Sequence, residues 1–294
     1  MKKLLTILLA GALAICACFS LIGCGKDELK FGKELLKCDS QLDTLVQLDN
    51  GSADVAIIDS VMAGYYTATG EYKDKVVKLP YSFAEEQYGI AGRKDDKAFM
   101  SEINKALIAL FGNGKMYEIA NTFGLASEIA ITPETTDTYA NATDNSWDKI
   151  KESKKIVIGY TVFAPIAYTE NDVFTGYDIE LAKAVVDYLK TTYSISELKI
   201  EFKEIDWDSK ETLLNNGTID LIWNGLTITE ERATNMCLSF AYLNNKQVGV
   251  VRKDDYKKFY PEDGNMTTVL ESFNSAVIAV ESGSAGEEVV VKAK

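Results

Sequence analysis

Residues 129–146 divide this sequence into two runs, each alternating short apolar strands with amphipathic helices. The dividing stretch is rich in Thr, Asn, Asp and Ser, contains Pro133, and sustains no hydrophobic period. It reads as a linker. As a flexible coil it would span roughly 25 Å, and fully extended about 60 Å. The first run predicts a helix at 43–48, a turn at Asn50-Gly51 and a buried strand at 54–58. A helix at 62–69 and a short strand at 88–91 follow. Two further helices, 99–110 and 116–123, are broken at Gly112-Asn113-Gly114; Ile103, Leu107 and Leu110 face inward on the first. The second run predicts strands at 155–158, 199–205, 220–223, 247–252 and 276–280. Between them lie a helix with Ile179, Ala182, Val185, Val186 and Leu189 on one face, and a shorter one at 209–214. Such alternation predicts an α/β fold with a mixed, mainly parallel sheet in each of two lobes.

The 294 residues suffice for one large or two medium domains, and 47% apolar with 26% charged residues is a globular balance. The net charge of −13 repels nucleic acid and phosphate. There is no histidine, which excludes Ser-His-Asp, Cys-His and HExxH chemistry. Of five cysteines, Cys16, Cys18 and Cys24 belong to an N-terminal apolar segment. Cys38 and Cys237 fit no zinc or redox spacing and read as two separate buried thiols. No cofactor and no metal is expected.

Lys2 and Lys3 precede an apolar run at 4–19, closed by Leu21-Ile22-Gly23-Cys24. This is the layout of a signal peptide over 1–23. The closing tetrapeptide resembles a bacterial lipobox, which implies a diacylglycerol on Cys24 and cleavage before it; two acyl chains suffice for anchoring. The competing reading is an uncleaved membrane anchor over 4–22. Loss of Lys2 and Lys3 with the leader brings the net charge to about −15.

Specific motifs lie beyond the leader. The segment from Ile156 through Gly159, Phe163, Pro165 and Tyr168 to Gly176-Tyr177-Asp178 is followed by Ile205-Asp206-Trp207-Asp208. Next comes Gly217-Thr218-Ile219-Asp220-Leu221-Ile222-Trp223-Asn224-Gly225-Leu226-Thr227-Ile228-Thr229-Glu230-Glu231-Arg232, and then Glu281-Ser282-Gly283-Ser284-Ala285. Together these resemble the front of the polar amino-acid solute-binding family that serves ABC importers, the type 2 periplasmic binding proteins. The back of that pattern resembles residues that stand earlier in the chain: 39–59, ending at Asp59, then Glu85-Glu86-Gln87-Tyr88-Gly89, and the helices at 99–110 and 116–125. The resemblance therefore implies a two-lobed, circularly permuted fold with a ligand cleft between lobes. Residues 24–34 would be a tether, 35–87 and 247–294 one lobe, and 88–128 and 147–246 the other. Residues 129–146 would join the family's ordinary termini. A domain-swapped form or a fusion of two truncated gene copies is the rival account.

The resemblance also implies roles. Arg232 would hold the α-carboxylate of a free amino acid, helped by backbone N–H groups at Ser284 and Ala285. Asp59 would hold the α-ammonium, helped by the Thr227 hydroxyl and the Gly225 carbonyl. Phe163 and Trp207 would wall the ligand side chain, with Asn224, Glu281 and Glu86 near its end; Trp223 would face the core. Tyr160 stands where glutamine- and basic-amino-acid-binding relatives carry an aspartate, and Glu281 where a glutamine binder carries lysine. Glu281 argues against acidic ligands and leaves neutral polar and basic ones. The implied protein is a receptor on the outer face of the cytoplasmic membrane of a Gram-positive cell, held through Cys24. It would deliver its ligand to an ABC permease and close about a hinge at 245–247 and 86–88. It would not be an enzyme, although dehydratases share the scaffold. A sensory receptor acting through a partner is the other alternative.

Overall fold

The structure is a computed structural model, and it describes residues 28–260, 262 and 265–292. The predicted leader and the lipidation site at Cys24 lie outside the described residues. No helix among those described is long and apolar enough to cross a membrane.

The chain begins with β1 (Glu34–Cys38), α1 (Gln41–Asp49), β2 (Val55–Asp59) and α2 (Ser60–Ala68). The long strand β3 (Val76–Arg93) then leads to α3 (Lys97–Gly112) and α4 (Lys115–Thr122). After the polar stretch come α5 (Ser146–Ser153), β4 (Lys155–Tyr160) and the short pair β5 (Tyr168–Glu170) and β6 (Val173–Thr175). Next are α6 (Tyr177–Tyr193), β7 (Lys199–Glu204), α7 (Lys210–Asn215), β8 (Leu221–Thr227), α8 (Glu230–Asn235) and β9 (Met236–Leu238). The chain closes with β10 (Leu243–Arg252), α9 (Tyr256–Phe259), α10 (Met266–Phe273), β11 (Val277–Glu281) and α11 (Ala285–Val290).

The strand order is β1-β11-β2-β10-β3-β8-β4-β7, with β9 also paired to β3. Sequence-distant segments are thus neighbours: β1 and β2 flank β11 in parallel, so the beginning and the end of the described chain build one end of the sheet. The middle of the chain builds the other end, where β8, β4 and β7 are also parallel. Between them β10 and β3 run antiparallel to each other, to β2 and to β8. The sequence predicts a mixed, mainly parallel sheet in each of two lobes; the mixture is found at each end, but β3 and β10 join the two ends into one hydrogen-bonded network. The short strand expected at 88–91 is the tail of the 18-residue β3.

β2 and β8 are buried along their whole length, as strands covered on both faces must be, and their sequences Val-Ala-Ile-Ile and Leu-Ile-Trp are accordingly apolar. Edge strand β7 is exposed at alternate residues and carries Lys199, Glu201, Lys203 and Glu204, charges that discourage further pairing. One buried cluster runs from Leu45 and Ile58 through Tyr88 and Phe163 to Ile156, Leu189 and Trp223. Phe259, Val269, Phe273 and Ile278 form a second cluster at the β1–β11–β2 end. Each such large side chain contributes about 1.5–3 kcal/mol by leaving water. Cys38 and Cys237 are both buried and free.

Two segments expected to be loose are packed. Residues 28–33, assigned above to a tether, are pinned because Leu29 and Phe31 are apolar. Leu29 bridges Val291, and the Phe31 ring lies 5.2 Å from Phe83 and 5.8 Å from Phe273. The 129–146 stretch contains no regular element before α5 begins at Ser146, but it lies against α3. Asp137 accepts from Ser101 Oγ at 2.5 Å and Asn104 Nδ2 at 2.8 Å. Asp144 accepts the N–H of Ala98 at 2.8 Å, which caps a helix whose own N-cap residue, Asp96, makes no side-chain cap.

Candidate functional site

The candidate site is built where strands end and helices begin. Asp59 is the last residue of β2, so it sits at the edge of a fully buried strand, and it is only 4% exposed. Its carboxylate accepts from the amides of Gln41 and Asn245, and from Gln247 Nε2 at 2.7 Å. Its N–H donates to Gln41 Oε1 at 3.0 Å. Gln247 and Asn245 also donate to Glu86 Oε1, while Thr227 Oγ1 donates to Glu86 Oε2 at 2.9 Å. Two carboxylates therefore share the side-chain amides of the β3–β10 crossover. Burial, with Glu86 beside it, pushes the Asp59 carboxyl well above the usual carboxylate range.

The second element is the β8–α8 corner. Thr229 caps α8 by accepting the N–H of Arg232 at 3.1 Å, which fixes where the Arg232 side chain begins. Arg232 is 5% exposed. Its Nη1 donates to the Thr227 carbonyl at 2.7 Å; its Nη2 donates to the Gly283 carbonyl at 3.5 Å and lies 3.6 Å from Glu288 Oε1. On β8 the Gly225 backbone has φ +64°, and a Cβ there would come 2.8 Å from Phe163 and 3.1 Å from Tyr88, so only glycine fits. Asp178, at the start of α6, holds that turn by accepting the Gly225 N–H at 2.9 Å and the Tyr242 hydroxyl at 2.7 Å. The Asn224 amide pairs with Thr161, whose Oγ1 lies 2.9 Å away.

The third element is the β11–α11 turn. Glu281 ends β11 and is 4% exposed. Ser284 caps α11 through the Glu287 N–H at 3.2 Å and donates to the Glu281 carbonyl at 2.7 Å. Burial pushes Glu281 up to about 8, against the pull of the Lys210 charge. Lys210 is itself buried, and that, with Arg232 near, lowers it to about 8. Its Nζ donates to the carbonyls of Trp207 and Gly283, both at 3.1 Å, and lies 4.8 Å from the centre of the Trp207 ring.

These elements converge on one narrow cavity of about 10 Å³. Arg232, Asp59, Thr227, Gly225, Asn224, Phe163, Trp207, Ser284, Ala285 and Glu281, the ten residues singled out from sequence, all line it. Gln41, Thr161 and Val162 complete the lining. Glu86 does not line it; it stands behind Asp59, joined through the shared amides. Trp223 is buried in the core. The Ser284 N–H, expected to face a carboxylate, donates to the Glu281 carbonyl at 3.3 Å, since the turn before α11 closes on itself. Gln41 and Lys210 escaped sequence reasoning, and Asn245 and Gln247 were foreseen only as part of the hinge.

The buried carboxyls set a pH dependence. Glu281 is raised from 4.5 to about 8 and Asp178 from 3.8 to about 7, both chiefly by burial. Each folded group holds its proton more tightly than the unfolded one. Their contribution to stability is complete below the unfolded values and is lost as pH rises through about 7 to 8. Thermal unfolding of the ligand-free protein should therefore shift to lower temperature between about pH 5 and pH 8. Glu281→Gln should flatten that decline, and an undiminished decline would contradict the assignment.

Comparison with known proteins is informative over part of the chain. Residues 156–285 match the family model of bacterial extracellular solute-binding proteins, family 3. The probable ABC transporter extracellular-binding protein YckB of Bacillus subtilis is 31% identical over 121 residues, 40% of this chain and 40% of that protein. A glutamine-binding protein of Geobacillus stearothermophilus is 32% identical over 159 residues, 52% of this chain and 56% of that protein. The chain thus spans about half the length of the curated relatives it matches. Among solved structures, a polar amino acid ABC uptake transporter substrate-binding protein from Streptococcus thermophilus is 39% identical over 34% of this chain and 36% of that one, with a TM-score of 0.26. These relatives are binding proteins by name, in line with a non-catalytic chain. From Ile156 to Ala285, a stretch that holds the β8–α8 corner and the β11–α11 turn, this chain is similar to the family 3 extracellular solute-binding proteins.

Proposed function

We propose that this protein is the extracellular solute-binding component of an amino-acid ABC importer and holds a free α-amino acid in the cavity. One observation carries the reading: a buried guanidinium, Arg232, and a buried carboxylate, Asp59, line the same cavity. An α-amino acid presents a carboxylate and an ammonium on one carbon, and each must be paired when taken from water. Arg232 takes the carboxylate with its two-pronged donor set, and Ala285 at the start of α11 adds a backbone donor. Asp59 takes the ammonium, with the Gly225 carbonyl and Thr227 hydroxyl beside it. Phe163 and Trp207 enclose the side chain.

The chain order fits circular permutation of the family pattern. In this reading residues 35–87 and 247–294 make one lobe, and 88–128 with 147–246 make the other. Residues 129–146 join the ordinary termini. The lobes close about the β3–β10 crossover, where Asn245 pairs with Glu86. The lipid on Cys24 tethers the lobe that carries α11, and the short path from Cys24 to the pinned Leu29 keeps that lobe at the membrane.

Calorimetry of the protein lacking its leader, against each common L-amino acid, should give heat with at least one. Arg232→Ala and Asp59→Asn should each weaken that binding by about 2–5 kcal/mol, roughly thirtyfold or more. Heat with none, or wild-type affinity in either variant, contradicts the reading. The permutation has its own test. Lys292 N–H donates to the Glu28 carbonyl at 2.8 Å, so a short glycine link can join the described ends. A chain running 147–292, link, 28–128 should fold and bind as the natural chain does, within roughly threefold. Failure to bind would contradict it.

A further inference from the structure

Once ionised, the carboxyl groups of the proposed site outnumber the cations that could balance them, and without ligand burial keeps Glu281 largely protonated at neutral pH. Asp59 and Glu281 line the cavity, with Glu86 and Asp178 directly behind it. Against these four carboxyl groups stand two buried cations, Arg232 and Lys210. A neutral amino acid adds one charge of each sign and leaves the imbalance as it was.

The imbalance has a location. Glu281 is 4% exposed, lines the cavity, and its Oε1 has no hydrogen-bond partner. Lys210 does not serve it. The Lys210 ammonium is spent on the carbonyls of Trp207 and Gly283, and among the described residues no carboxylate lies within 4.0 Å of it. Gln41 gives its side-chain amide to Asp59 and also bonds the Glu281 carboxyl, but it leaves Glu281 Oε1 without a partner. Asp59 is served by three amides and Glu86 by two amides and a hydroxyl, while Asp178, behind the cavity, takes Gly225 and Tyr242 on Oδ2 and leaves Oδ1 bare. Of the two carboxyls that line the cavity, Glu281 alone keeps an oxygen, Oε1, without a hydrogen-bond partner, and buried groups of this kind call for one.

Resting on the amino-acid reading above, we infer that the ligand is an amino acid with a cationic side chain and that Glu281 is the residue that selects it. An ammonium or guanidinium supplies both the missing positive charge and the donor for Oε1. The aromatic faces of Phe163 and Trp207 favour a cation between them over an anion. An acidic side chain would meet Glu281 as a like charge. A carboxamide would give Oε1 a donor but bring no charge to draw the proton from Glu281.

The test is the selectivity of the wild-type chain, which needs no variant to fold. In calorimetry at neutral pH, L-arginine or L-lysine should bind at least about thirtyfold tighter than L-glutamine, and L-glutamate weakest of all. Glu281→Gln, checked for folding by circular dichroism, should lower the cationic affinity by a similar factor and remove most of the preference for arginine over glutamine. Glutamine binding as tightly as arginine overturns this inference and leaves the amino-acid reading standing. So does a folded Glu281→Gln variant with unchanged arginine affinity. No heat with any amino acid overturns both.

Discussion

The arrangement of this protein turns on the burial of unlike charges around one cavity. A guanidinium 5% exposed and a carboxylate 4% exposed cost several kcal/mol each to take from water unless partners are supplied. The fold supplies them by position. Asp59 sits where buried β2 stops, so that α1 and β10 can bring amides to it. Arg232 begins one turn into a helix capped by Thr229, so that its guanidinium returns to the Thr227 carbonyl. The Gly225 conformation and the Asp178 bonds beneath it keep β8 open at that point.

The second dependence is on two strands. β3 and β10 are where the chain passes between the ends of the sheet, and their register puts Asn245 opposite Glu86 and Leu243 opposite Tyr88. The amides that hold Asp59 belong to this crossover, and so does Glu86, whose second oxygen takes the Thr227 hydroxyl. Movement at the crossover would therefore alter the surroundings of Asp59 directly. In the proposed reading, recognition of the ammonium and closure of the lobes share one hydrogen-bond network. Register shifts in β10 after Gln247 mark where the strand bends.

Much of this was legible in the sequence. The apolar runs gave β2, β4, β8 and β11 to within a residue or two at most ends, because fully buried strands leave no polar interruptions. All ten candidate residues came from motif resemblance, and the cavity gathers them. What escaped did so for physical reasons. The first half of β3 carries Pro80 and the run Ser82-Phe83-Ala84-Glu85-Glu86-Gln87 on a half-exposed surface, so no clean alternation announces a strand. Gln41, Asn245 and Gln247 satisfy a carboxylate 18, 186 and 188 positions away, and no local pattern encodes those contacts. The 129–146 stretch is irregular as read, but its contacts through Asp137 and Asp144 depend on where α3 lies.

The central claim is that Arg232 and Asp59 receive the two ends of one amino acid. A crystal structure of the complex with the amino acid that binds most tightly tests this most directly. The account predicts the ligand carboxylate within hydrogen-bond distance of the Arg232 guanidinium and its ammonium within the same distance of Asp59, with the side chain between Phe163 and Trp207. A ligand bound with its ends reversed, or seated outside this cavity, would contradict it.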